Sequence, residues 1–69
     1  MIVLRLFGNT YPIKDELRAC KFRWDKEEGC WWKNYTNDEF EYVKNLAEAY
    51  ENESGIEAEI TGDIPAYYI

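Results

Sequence analysis

The chain opens with Ile2-Val3-Leu4-Arg5-Leu6-Phe7, a β-branched and aliphatic run closed by Gly8-Asn9. Such a run predicts a strand over residues 2–7. Alternation sets Ile2, Leu4 and Leu6 on one face and Val3, Arg5 and Phe7 on the other. Thr10-Tyr11-Pro12 suits a helix entry, because proline fits the first turn. Ile13, Leu17 and Cys20 then recur at helical spacing, over about 12–20. Phe22 to Asp25 and Cys30 to Tyr35 predict two further strands. Between them Lys26-Glu27-Glu28-Gly29 is a polar turn with a glycine where a positive φ is needed. A hairpin with this four-residue loop sets Asp25 against Cys30, Trp24 against Trp31 and Arg23 against Trp32. A slip of one residue would exchange the faces.

Thr36 and Glu39 have the spacing of a capping box, with Thr36 or Asn37 as the cap. Phe40, Val43, Leu46, Ala47 and Tyr50 form one apolar stripe of a second helix, which Ser54-Gly55 ends. Ile56-Glu57-Ala58-Glu59-Ile60 alternates strictly and predicts a half-buried strand, followed by a turn at Thr61-Gly62-Asp63. Ile64 to Ile69 is an apolar, tyrosine-bearing tail that should pack on its own sheet or on a partner. The order β-α-β-β-α-β plus tail predicts an α+β domain with the ferredoxin-like split βαβ arrangement. In that arrangement the first and third strands are central neighbours. One sheet face carries both helices, and the other is open or covered by the tail or a partner. Trp24 and Trp31 are expected in the core as cross-strand neighbours, with Phe22, Leu17 and Phe40.

Composition narrows the function classes. Sixty-nine residues, 46% of them apolar, suffice for one small core and no second domain. No run approaches the ~18 apolar residues of a membrane span, and the apolar start over residues 1–7 is too short for a signal peptide. A cytoplasmic location is therefore expected. The chain has no histidine, which excludes imidazole acid–base chemistry and imidazole metal ligation. Cys20 and Cys30 lack metal-ligand spacing, and whether they pair is left open. The paired carboxylates Glu27-Glu28 and Glu57/Glu59 fall on a turn and on an outward strand face, not in a cleft. These features predict a binding protein rather than an enzyme, with no cofactor and no metal.

The stretch from Thr10 to Trp32 resembles a small domain of phage and plasmid proteins that often stands beside primase- or helicase-type domains. The resemblance rests on Lys14-Asp15-Glu16-Leu17, Arg23-Trp24-Asp25, the charged turn and Trp31-Trp32. That family carries a glycine near the helix end, where this chain has Cys20 and Lys21. It is also distantly similar to the accessory domain of annealing helicases. The resemblance implies a mobile-element origin and a link to nucleic-acid processing.

Charge then suggests two surfaces. Residues 1–33 hold seven basic and five acidic residues, a balance of +2, whereas residues 34–69 hold one basic and nine acidic, a balance of −8. The acidic set Asp38, Glu41, Glu48, Glu51, Glu57 and Glu59 suggests a surface that imitates a phosphate backbone. Its partner would be a basic protein that handles nucleic acid, such as a host defence nuclease, which the acidic protein would inhibit. The other candidate is the open sheet face, where Arg5, Phe7, Arg23 and Trp32 resemble a stacking platform for single-stranded nucleic acid. An intramolecular Arg23–Trp32 stack would give the same pattern without a ligand. A homodimer through the open face is a further option.

Overall fold

The structure is a computed structural model that describes residues 1–53 and 55–68. Ser54, expected at the helix end, and Ile69, expected in the tail, lie outside the described residues. The elements are β1 (Ile2–Gly8), α1 (Lys14–Ala19), β2 (Arg23–Asp25), β3 (Cys30–Tyr35), α2 (Phe40–Glu51) and β4 (Ile56–Gly62). Short 3₁₀ turns lead into both helices, at Tyr11–Ile13 and Asn37–Glu39, and a third spans Ala66–Tyr68. The protein is thus an α+β domain with a four-stranded antiparallel sheet in the order β2-β3-β1-β4. Each helix joins two strands that have one other strand between them in the sheet. No helix among the described residues is long and apolar enough to cross a membrane.

The alternation of β1 decides which face is buried. Ile2, Leu4 and Leu6 are fully buried beneath the helices, together with Leu17, Phe22, Trp31, Tyr35, Phe40 and Val43. These side chains lie on the same side because β1 pairs Leu6 with Trp31 and Ile2 with Tyr35. From α2, Phe40, Val43, Ala47 and Tyr50 enter this core and Leu46 lies at its margin. Tyr50 meets Phe22 edge to face, with ring centroids 6.1 Å apart.

Local signals account for the ends of the elements. At Gly8 φ is +94°, and a Cβ there would run into the Gly55 carbonyl. That carbonyl accepts the Asn9 N–H at 2.8 Å, so glycine is required where β1 leaves the sheet beside the start of β4. The hairpin closes in the expected register, Asp25–Cys30, Trp24–Trp31 and Arg23–Trp32. Asp25 holds its loop, because Oδ1 accepts the Glu27 and Glu28 N–H groups at 3.0 and 3.2 Å and the Asp25 carbonyl accepts the Gly29 N–H at 2.8 Å. Ahead of α2, Thr36 and Glu39 form the capping box. Glu39 Oε1 accepts both the Thr36 N–H at 3.0 Å and the Thr36 hydroxyl at 2.8 Å.

The end of α1 is built without glycine. Phe22 N–H donates to the Leu17 carbonyl at 3.0 Å and Lys21 N–H to the Arg18 carbonyl at 3.1 Å, the two bonds of a Schellman motif. The motif needs a left-handed residue at the position of Lys21, whose φ is +73°. Lys33 reaches from β3 to the same helix end, where Nζ donates to the Cys20 carbonyl at 2.8 Å.

Two expectations are corrected, and two alternatives left open by the sequence are decided. Trp24 is not in the core: it is 51% exposed, against 6% for Trp31. It faces the helix side, but β2 is a three-residue edge strand and α1 is only six residues long. Trp24 therefore has Trp31 on one side, at 5.5 Å between ring centroids, and water on the other. Thr61 and Gly62 are not a turn; they extend β4 and pair with Val3 and Ile2. Among the described residues the tail does not cross the open sheet face. Ile64 packs on the core, and Tyr67 turns to the start of α2, edge-on to Phe40 at 6.5 Å, with its hydroxyl donating to Glu41 Oε1 at 3.2 Å. Cys20 and Cys30 are both free, one exposed and one buried.

Candidate functional site

The face of the sheet away from the helices is set by the odd-numbered residues of β1 and their partners. Arg5 lies between Trp32 of β3 and Glu59 of β4, and Phe7 opposes Glu57. Beyond Trp32, at the edge of the sheet, stands Arg23. The row Arg23, Trp32, Arg5, Glu59 thus crosses all four strands, with an aromatic ring between two guanidinium groups and a carboxylate at the far edge.

The members of the row differ in how free they are. Arg5 is committed inside the protein: Nη1 donates to Thr61 Oγ1 at 2.7 Å and lies 3.9 Å from Glu59 Oε1. Arg23 is exposed and its guanidinium lies 5.9 Å from the centre of the Trp32 ring. Trp32 is half-buried between two shallow grooves. One, of about 270 Å³, is lined by Val3, Arg5, Asp25 and Asn34. The other, of about 330 Å³, is lined by Lys21, Arg23, Lys33 and Asn34. Phe7 is half-buried and its cross-strand neighbour is acidic, so it belongs to the other half of the face. Cys30 is fully buried. Burial, followed by the nearby Asp25 carboxylate, pushes its thiol above the ordinary range, so it stays protonated at neutral pH.

The six acidic residues do not form one surface. Asp38, Glu41, Glu48 and Glu51 run along the outer side of α2 and the turn before it, at spacings of three or seven residues. Glu57 and Glu59 project from β4 on the opposite, helix-free face, because they pair with Phe7 and Arg5. On α2, Glu41 is also partly engaged, by Lys44 Nζ at 3.4 Å and by Tyr67.

A third concentration of functional groups lies where β2 meets α1. Exposed Tyr11 and Trp24, with Lys14 and Arg18, border a cleft of about 430 Å³ whose floor is Trp31 and residues 8–10. Of these residues Trp24 and Trp31 were expected to be core, and the cleft was not anticipated. Its signal in the sequence is the pairing of Lys14 and Arg18 at i, i+4 beside Tyr11, but only the shortness of α1 leaves Trp24 uncovered to complete it.

The two ends of the sheet have opposite character. Lys21 and Arg23 stand at the β2 edge, with Asp25 at the end of the same strand, and Glu57 and Glu59 at the β4 edge. The edges are three strand spacings apart, about 14 Å. That exceeds the screening length of roughly 8 Å at physiological salt, so the acidic edge does not cancel the field at the basic one. Comparison with known protein families, with curated proteins and with solved structures finds no match.

Proposed function

We propose that this chain is a non-catalytic binding module for single-stranded nucleic acid, built on a ferredoxin-like split βαβ fold. The sheet order β2-β3-β1-β4 with all neighbours antiparallel supports the fold assignment. The observation that carries the function is the half-buried Trp32 ring between two shallow grooves, with the exposed Arg23 guanidinium 5.9 Å from its centre, on a face that neither the helices nor the described tail residues cover. An indole offers a base a stacking surface, and the adjacent cations Arg23 and Lys21 meet phosphate. The contact is confined to the β2–β3 half, where a strand avoids Glu57 and Glu59. Arg5 takes part by orienting the face rather than by contacting phosphate, since Thr61 and Glu59 already hold it.

The test is fluorescence anisotropy of a labelled mixed-sequence 12-mer, titrated at low and then moderate salt. Binding should weaken steeply with salt. Trp32→Ala should cost about tenfold in affinity, within the range of one base stack. Absence of binding at low salt, where phosphate attraction is greatest, rejects this function.

A second reading is favoured by the row of exposed acids on α2, Asp38, Glu41, Glu48 and Glu51. This row would contact a basic protein that itself handles nucleic acid, as an inhibitor of a defence nuclease would. Glu48→Lys with Glu51→Lys would then abolish partner binding while Trp32→Ala leaves it intact.

A further inference from the structure

The cleft between β2 and α1 has a different composition from the sheet face and opens on the other side of β2. Three kinds of group converge on it. Tyr11, 74% exposed, and Trp24 offer two aromatic surfaces at its rim. Trp31 forms an apolar floor, on which Trp24 stands at 60°. Lys14 and Arg18, one turn apart on α1, bring two cations to the same opening, 5.0 Å from the Tyr11 ring centre and 5.7 Å from the Trp31 ring centre. Gly8, Asn9 and Thr10 line the rest of the cleft. One acid is near: Asp15 Oδ1 lies 3.5 Å from Lys14 Nζ and 3.6 Å from Arg18 Nη1, on an exposed side chain outside the cleft.

We infer that this cleft is a nucleotide site, in which a base stacks on Trp24 or Tyr11 and its phosphate lies between Lys14 and Arg18. The volume, about 430 Å³, falls in the range of small-ligand sites. A purely apolar ligand would leave two cations idle at the rim, and a bare anion would leave the rings uncovered. A nucleotide joins a flat ring and an anion in one unit and satisfies both. Asp15 is the groups' present counter-charge, and phosphate replaces it at little cost because the carboxylate is 84% exposed. The ligand is a free mononucleotide or one residue of a strand, which share this chemistry. The site stands independently of the sheet-face function, since Trp24 and Trp32 lie on opposite faces of the hairpin.

The experiment is a ¹⁵N-resolved NMR titration of the whole chain with a nucleoside 5′-monophosphate, with the parent nucleoside and inorganic phosphate run separately. The monophosphate should shift the Trp24 indole resonance and the amides of residues 8–11, and should bind about tenfold more tightly than either fragment. Trp24→Ala and Lys14→Gln/Arg18→Gln should each weaken it about tenfold, and Asp15→Asn should tighten it. Trp32→Ala should leave it unchanged. A tetranucleotide that binds more tightly than the monophosphate at these same resonances assigns the site to a strand, and equal affinity assigns it to the free nucleotide. Equal affinity of nucleoside and monophosphate, or shifts confined to Trp32 and Arg23, overturns the proposal. Loss of 12-mer binding in Trp32→Ala with intact monophosphate binding at Trp24 separates the fate of the sheet face from that of the cleft.

Discussion

Lys21 carries a backbone conformation that its side chain opposes, and replacing it with glycine should stabilise the protein. The Schellman bonds from Phe22 and Lys21 to the carbonyls of Leu17 and Arg18 require the positive φ of +73° at Lys21. A residue with a Cβ pays roughly 1–2 kcal/mol for that conformation. Glycine removes this cost but adds about 0.4–1 kcal/mol of unfolded-chain entropy. The net gain of Lys21→Gly is about 0.5–1 kcal/mol, which raises Tm by about 2–8 °C in a domain of this size. Lys21→Ala is the control, because it removes the charge at the helix end and keeps the Cβ. The assay is urea unfolding followed by tryptophan fluorescence, with the slope of the transition checked for constancy. Glycine should exceed alanine by about 1 kcal/mol. Glycine at or below alanine would refute the reasoning, since the left-handed strain would then be absent or relieved elsewhere.

Three other outcomes follow from the same structure. Trp31→Ala should cost about 3 kcal/mol or more, by opening a cavity under α1. Trp24→Ala should cost about 1–2 kcal/mol, because half of that ring already faces water; equal costs in denaturant titrations would place both rings in one core. A thiol reagent should modify exposed Cys20 quickly and buried Cys30 only on unfolding, because burial and Asp25 hold the Cys30 thiol protonated; equal rates contradict that environment. The hydrogen bonds from Thr36 lower the pKa of Glu39, and those from the amino terminus and Asn37 lower that of Asp63. Both carboxylates therefore stabilise the fold at neutral pH, and the effect is lost as pH falls below about 4 and through their lowered values. Urea midpoints between pH 7 and 3 should fall less steeply in Glu39→Gln and Asp63→Asn than in the parent, and parallel curves would show that these bonds do not discriminate between charge states.

Local order was readable from the residues alone. The alternation in β1 selected Ile2, Leu4 and Leu6 for the core, the charged four-residue turn closed the hairpin in register, and the α2 stripe matched its buried side. These are properties of near neighbours, where periodicity and turn chemistry dominate. Assembly decided the rest. Trp24 and Trp31 are equivalent in pattern, yet one is exposed and the other buried, because β2 is the edge of the sheet and α1 stops short of it. The acids of residues 38–59 form one cluster in the sequence, interrupted by a single base, Lys44, but the strand pairing turns Glu57 and Glu59 onto the face opposite α2. The apolar tail had several surfaces within reach, and among its described residues Tyr67 meets Phe40 rather than the open sheet. Which partner a side chain meets across the chain depends on strand order and helix length together. Burial of the β1 face is set by local alternation, whereas exposure at an edge is set only by what the rest of the chain fails to cover.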